Sequence, residues 1–231
     1  MTILPRLSST ASDWGRDGWT LVAGFLGGDE LMLLRLEAER LWAQPEMFAH
    51  RGAVANSPTR SDRLDPVIDI SEAFKALAND PRLLAVAGGL LGGQAQLMKD
   101  KYIAKPPGTT GYTAHQDGAY WQGMELDISR VLTAVLFLDD SPAEKGAIEC
   151  ASGHHRSLLT EPGAVADVDE TGLEPFEAIE AQAGDLLLLH ALTPHRSGPN
   201  RTGAMRRTVM FTYGVDPRPD LYAIYHEARR T

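Results

Sequence analysis

Positive charge is in short supply: 22 lysines and arginines stand against 31 aspartates and glutamates, a formal net charge of -9. A surface of that sign repels nucleic-acid phosphates unless a local basic patch dominates, so nucleic acid is not expected as a partner. The nearest thing to such a patch is Arg196, Arg201, Arg206 and Arg207, three of which are expected to be solvated or paired surface groups. Cysteine is almost missing. The single Cys150 excludes an internal disulfide framework, fits a reducing cytoplasm and reads as a small buried apolar residue, because no motif of a nucleophile surrounds it. No apolar run approaches membrane-spanning length, and the opening MTILPRLSSTASDWGRDGW lacks the succession of charged, apolar and small residues that marks a secretion signal. The expectation is a soluble, cytoplasmic protein with no membrane partner. Internal repeats and low-complexity tracts are also absent from the pattern.

What remains is ordinary globular material: 231 residues with 43% hydrophobic and 23% charged side chains. That length favours one domain spanning 1–231. Residues 29–43 place Leu31, Leu34, Leu36, Leu41 and Trp42 among charges at near-helical spacing, predicting an amphipathic helix opened by Asp29. A polar stretch over roughly 44–68, with His50, Arg51, Arg60, Asp62 and Arg63, reads as a long loop. Residues 71–91 read as helix broken near Asn79-Asp80-Pro81 and ended by Gly92-Gly93. From about residue 95 the pattern changes to short β-forming runs: QLMKDKYIAK, YTAHQD, RVLTAVLFLDD, EAIEAQ, DLLLLHAL and RRTVMFTYGV. The predicted class is mixed α and β with a mainly β core, helical support over about 1–94 and the β core over about 95–216.

Two imidazoles, a carboxylate and a fixed cation stand out within this frame. His115 and Asp117 are two apart at an expected strand end, where alternation points both side chains to one face. A third metal ligand has to come from a distant strand, and DLLLLHALTPH offers His190 and His195. A histidine inside a leucine run is more often a satisfied core residue, which favours His195, at the head of a polar segment with Ser197 two positions on. Two histidines and a carboxylate form the facial triad of non-haem iron(II) oxygenases, with positions left open. Arg206 opens the strand RTVMFTYG after the turn GPNRTGAM, and its planar fork matches a carboxylate in two parallel hydrogen bonds. Periodicity turns Arg207 to the opposite side.

The runs LMKDKYIAKPP, HQD, GAIECASGH and GDLLLLHALTPHRSGPNRT with Arg206 resemble the phytanoyl-CoA dioxygenase family of iron(II)/2-oxoglutarate oxygenases, as do DGWTLVAGFLGGDEL and FKALANDPRLLAVAGGLLGG. That resemblance spans most of the chain. It implies a double-stranded β-helix, a cupin-like jelly roll flanked by N-terminal helices, with Fe(II), 2-oxoglutarate and O2 as cofactor and cosubstrates. It implies His115, Asp117 and His195 as catalytic iron ligands, Arg206 as the partner of the far carboxylate of 2-oxoglutarate, and Gln116 and Ser197 as further cosubstrate contacts. Where many members have a Pro-Gly-Ser-His turn, this chain has Ala151-Ser152-Gly153-His154, and His154 and His155 are expected in a loop or second layer.

By the same resemblance, a carboxylate at position 117 fills the place that halogenating relatives leave to chloride, which points to hydroxylation or another oxidation of a small-molecule substrate. No basic site for the phosphates of coenzyme A is evident. Substrate contacts are expected from Tyr120 and Trp121 and from the polar segment around His50 to Arg63, which suits a polar natural-product intermediate such as a sugar or amino-acid derivative. The rival readings are a metal-dependent jelly-roll isomerase or hydrolase working without 2-oxoglutarate, and a binding protein with structural histidines. Arg206 discriminates, because neither rival needs a partner for a dicarboxylate. The oligomeric state is not readable from the sequence.

Overall fold

In the computed structural model, which describes residues 10–49, 62–160, 168–173 and 175–228, the β-forming runs pair into two antiparallel sheets. The elements in chain order are α1 (Thr10–Asp17), β1 (Trp19–Val22), α2 (Gly28–Trp42), α3 (Pro45–Ala49), β2 (Arg63–Leu64), α4 (Glu72–Ala78) and α5 (Pro81–Leu91). Then follow β3 (Gln96–Lys105), β4 (Tyr112–His115), β5 (Val131–Phe137), β6 (Ile148–Cys150), β7 (Glu177–Ile179), β8 (Leu186–His190), β9 (His195–Ser197), β10 (Arg206–Gly214) and α6 (Leu221–Ala228). The larger sheet runs β1-β8-β5-β10-β3-β2 and the smaller β4-β9-β6-β7. This is the jelly-roll arrangement, a mainly β core with flanking helices.

Strand alternation divides the interior in two. Tyr102, Ala104, Leu132, Ala134, Leu136, Leu186, Leu188, Val209, Phe211 and Tyr213 face the helices, where they meet Leu34, Leu41, Phe74 and Leu83. The opposite faces of the same strands bring Ile103, Val135, Phe137, Leu187, Leu189 and Met210 against Ile148, Cys150 and Ile179 of the smaller sheet. The period of two therefore decides which residues of β3, β5, β8 and β10 line the space between the sheets. Cys150 is one of them, wholly buried, and burial pushes its thiol well above the usual range.

The helical layer follows local signals. Asp80 caps α5 by accepting the Arg82 N–H at 2.7 Å, Pro81 opens the first turn, and Gly92 ends the helix at a left-handed φ of 68°. Ser71 caps α4 in the same way through the Phe74 N–H, 3.2 Å. Helix α2 begins at Gly28, with Gly27 as an N-cap that has no side-chain bond, and Asp29 sits in its first turn.

Three features depart from the sequence reading. The stretch 44–68 is not uniformly loop: α3 starts at Pro45 and buries Phe48 against Trp42 and Tyr102, ring centroids 5.3 and 6.3 Å away, while Arg63 and Leu64 pair with Ile103 and Tyr102. His50, Arg51 and Arg60 lie outside the described residues. The N-terminal support also carries strands, since β1 pairs with β8 and β2 with β3, and α6 follows the last strand to pack on β3. A four-residue strand such as WTLV shows too few alternations to announce itself. Finally, β4 stops at His115, and Asp117 opens a 3-10 turn over Asp117–Trp121.

Candidate active site

The site is built where the two sheets open on a cavity of about 570 Å³. Strands β4 and β9 place His115 directly opposite His195, ring centroids 4.2 Å apart. The strands run this close because Gly111 has no side chain: a Cβ there would lie 2.0 Å from the Ser197 carbonyl oxygen. Asp117 joins the pair from the 3-10 turn rather than from strand alternation. The Gly118 N–H, bonded to the Ala191 carbonyl at 2.8 Å, anchors that turn to the end of β8. One ligand atom from each of His115, Asp117 and His195 lies within 4.8 Å of the other two.

Hydrogen bonds orient all three. His115 Nδ1 contacts the Thr113 carbonyl at 2.8 Å and His195 Nδ1 the Thr193 carbonyl at 3.0 Å. A carbonyl only accepts, so each Nδ1 carries a proton and Nε2 is the ring atom left to face the other ligands. Thr133 Oγ1 donates to Asp117 Oδ2 at 3.0 Å, leaving Oδ1 turned to the histidines, 3.9 Å from His115 Nε2. Burial holds the His195 pKa down to about 4, with the neighbouring His115 adding to the shift, so the ring is neutral at pH 7. Burial alone would raise the Asp117 carboxyl, yet Lys101, His195 and His115 outweigh it and hold it well below the usual carboxylate range. Two imidazoles that present Nε2 and one ionised carboxylate are the donor set a ferrous ion requires, so these residues fit that metal.

Arg206 lies deeper in the same cavity, 2% exposed. Among the described residues its Nε has no hydrogen-bond partner, and Nη1 makes one long 3.5 Å contact, to Ser141 Oγ. Burial lowers its pKa to about 10, so it stays charged at neutral pH. Lys105, its register neighbour on β3, donates to Ser197 Oγ at 3.0 Å and to the carbonyls of Gly146 and Gly198. Burial and the Arg206 charge bring the Lys105 ammonium down to about 7. Asn200 ties down the turn between β9 and β10, donating to the Lys105 and Ala204 carbonyls at 2.8 Å each. A buried guanidinium with open donors, beside a lysine and a hydroxyl, is a seat for a carboxylate.

The other residues singled out by the sequence divide. Ser197 lines the cavity. Gln116 does not: its amide donates to the Ser157 and Leu192 carbonyls at 2.9 and 2.5 Å and accepts the Leu159 N–H at 2.8 Å. It fastens the 3-10 turn to neighbouring loops, a correction to its expected cosubstrate contact, because the strand ends beside it and its side chain turns away from the cavity. Tyr120, 62% exposed, stands at the rim with its ring 6.1 Å from that of His115. Trp121 lines the cavity too, but it is 3% exposed and packs with Met98, Val131, Ala191, Leu221 and Tyr225.

His190 is a core residue. Its Nδ1 accepts the Leu192 N–H at 3.0 Å and its Nε2 meets the Ser129 carbonyl at 3.0 Å, while burial holds its pKa near 4. His154 is exposed and His155 packs on His190, ring centroids 5.4 Å apart, away from the cavity. Of the four arginines, Arg196 pairs with Glu149 and Glu170, Arg207 with Asp139 and with Glu39 of α2, and Arg201 is exposed. Thr133, Lys105, Lys101 and Tyr112 line or support the site and were not picked out beforehand. The inward alternation of β3 and β5 was the signal that could have found the first three.

Among the described residues no helix is long and apolar enough to cross a membrane. The profile of a family described as phytanoyl-CoA dioxygenase matches residues 14–208. Methylphosphonate hydroxylase of Gimesia maris is 28% identical over 222 residues, covering 94% of this chain and 84% of that protein. Ectoine dioxygenase of Halomonas elongata is 26% identical over 235 residues, covering 90% and 70%. The epimerase SnoN, solved with Fe3+, alpha ketoglutarate and nogalamycin RO, superposes with a TM-score of 0.75 at 26% identity, covering 90% of this chain and 83% of that one. EctD from S. alaskensis with bound Fe superposes with a TM-score of 0.81 at 24% identity, covering 93% and 79%, a likeness of fold.

Proposed function

We propose, from the premise that this chain belongs to the phytanoyl-CoA dioxygenase family, that His115, Asp117 and His195 hold the ferrous ion and that Arg206, with Ser197 and Lys105 beside it, receives the far carboxylate of 2-oxoglutarate. The protein is an enzyme, a non-haem iron(II)- and 2-oxoglutarate-dependent dioxygenase. Its substrate is a small polar molecule that enters over Tyr120. The curated relatives, named for methylphosphonate and ectoine, support that size and polarity.

One observation carries the assignment of roles: a three-ligand set and a buried guanidinium with open donors share one cavity. Bound there, iron and 2-oxoglutarate supply oxidation of a substrate C–H bond by O2, with release of succinate and CO2. The chain's own part is positional. Thr113, Thr193 and Thr133 aim the ligand atoms. Arg206 fixes one end of the dicarboxylate by charge and geometry. Met210, Val135, Ile148 and Leu189 keep the inner wall apolar and exclude water.

Anaerobic titration of the iron-loaded protein with 2-oxoglutarate tests the reading. A weak visible charge-transfer band is expected in the native chain and not in Asp117→Ala. Full 2-oxoglutarate consumption and normal iron content in Asp117→Ala would remove the aspartate from the ligand set. A metal-dependent isomerase or hydrolase would show neither the band nor succinate.

A further inference from the structure

Strand β3 turns Lys99, Lys101 and Ile103 into the cavity and Asp100, Tyr102 and Ala104 away from it. Asp100 is spent on the outer side, accepting the Ile68 N–H and the Tyr222 hydroxyl at 2.9 Å each. Arg63 of β2 lines the same wall and pairs with Asp65, whose carboxylate also lies 3.5 Å from Lys99 Nζ. Two cations thus share one carboxylate. Lys101 has no hydrogen-bond or ion-pair partner among the described residues. Among the described residues of this wall three cations stand against the carboxylate of Asp65, a surplus of positive charge, and the wall reaches the Asp117 carboxylate: Lys99 is the register partner of Thr212, which lies opposite the Thr133 that bonds Asp117, and Lys101 lines the same cavity.

The cosubstrate set does not absorb that surplus. A ferrous ion, the Asp117 carboxylate, dianionic 2-oxoglutarate and the Arg206 guanidinium sum to zero by themselves. Burying an unpaired ammonium is costly, and an anionic ligand removes the cost. A carboxylate or sulfonate brings one negative charge, whereas a phosphonate or phosphate monoester brings about 1.5 to 2 and three acceptor oxygens, one for each cation.

Resting on the iron and 2-oxoglutarate reading above, we propose that the substrate carries a dianionic phosphoryl headgroup bound by Lys101, Lys99 and Arg63, and that the oxidised carbon is the one nearest that headgroup. Hydroxylation there breaks one C–H bond and forms one C–OH bond. One atom of O2 enters the alcohol and the other enters succinate. Two electrons come from the substrate and two from 2-oxoglutarate, which loses CO2. Because the headgroup sits beside the metal-binding carboxylate, little chain length separates it from the reacting carbon. Apolar Met124 and the rings of Trp121 and Tyr225 line the cavity as well, and they suit the remainder of a small substrate.

The test is a calorimetric titration of the full chain with methylphosphonate, methyl phosphate, methanesulfonate and the neutral dimethyl methylphosphonate. It is run metal-free and again anaerobically with iron and 2-oxoglutarate. At least one dianion is expected to bind about tenfold or more tightly than methanesulfonate, with no heat from the neutral ester. Lys101→Met should weaken that binding by roughly 10- to 100-fold, the range for a charged hydrogen bond, and Lys101→Arg should restore part of it. Which dianion binds assigns the site to phosphonates or to phosphate esters. Equal binding of the neutral ester or the sulfonate, absence of dianion binding in both samples, or undiminished dianion binding by Lys101→Met would each overturn the proposal. The visible band of the loaded sample reads the iron and 2-oxoglutarate assignment separately: a band without dianion selectivity sinks the headgroup site alone, and selectivity without a band sinks the oxygenase roles alone.

Discussion

Thr133 Oγ1 donates its single proton to Asp117 Oδ2 at 3.0 Å, and the same oxygen lies 3.1 Å from Thr212 Oγ1. One hydroxyl has one proton, so Thr212 must be the donor in the second bond. Two neighbouring strands, β5 and β10, thus hold the carboxylate in one rotamer and leave Oδ1 facing His115. The expected consequence is that Thr133→Val, nearly isosteric, leaves the fold intact but lowers iron affinity by roughly 10- to 100-fold, as loss of an outer-shell partner typically does. Iron titration against a competing chelator measures this, and unchanged affinity would mean that Asp117 needs no such support.

Among the described residues no carboxylate is bonded to the charged Arg206. Arg206→Met should therefore leave the metal-free protein as stable as the native chain, or more so, because it replaces a desolvated cation by an apolar side chain. At the same time it should raise the 2-oxoglutarate Kd by roughly 10- to 100-fold, from the loss of about 1.5–3 kcal/mol of charged hydrogen bonding. Arg206→Lys should sit between the two, since an ammonium cannot present two parallel donors. Thermal melts and cosubstrate titrations read the two effects separately. A large drop in melting temperature with unchanged Kd would make the arginine structural.

Asp62 offers a pH-dependent prediction. Among the described residues neither of its buried carboxylate oxygens has a hydrogen-bond partner from another residue, and burial raises its pKa to about 6, against the opposing pull of its own backbone N–H and of Lys105, Arg63 and Arg206. The folded state therefore binds a proton more tightly than the unfolded chain, whose carboxyl titrates near pH 4. Stability from this group is greatest below pH 4 and declines as pH rises to about 6, beyond which the loss is constant. Asp62→Asn should stabilise the protein at pH 7.5 by about 1–3 kcal/mol, with the gain fading towards pH 4. Denaturant unfolding of both proteins at several pH values checks this, and a gain independent of pH would locate the effect elsewhere.

The site was legible to different depths. The structure gathers His115, Asp117, His195 and Arg206 about one cavity, and these candidates could be singled out because few residue types ligate a metal or fork onto a carboxylate, and because they stand at segment ends marked by turns. The assignment of His190 to the core could also be read, since a polar residue in a run of leucines has to satisfy itself internally. The reason offered for pairing His115 with Asp117, strand alternation, is not how the chain does it. Gln116 was misplaced for the same cause: a strand that ends one residue early rotates every later side chain.

By itself the sequence determined the periods, and the periods determined the elements: 3.6 for α2, α4 and α5, two for β3, β5 and β10, with caps at Ser71, Asp80 and Gly92. From these follow the jelly roll and the inward or outward sense of each strand residue. Only the tertiary structure decided which inward residues meet. That Lys101, Lys99 and Arg63 share a wall depends on the register of β2 on β3, and that Arg206 keeps no carboxylate among the described residues depends on Asp139 being taken by Arg207 on the opposite face. Register and pairing are set by contacts between segments far apart in the chain, and no local period encodes them.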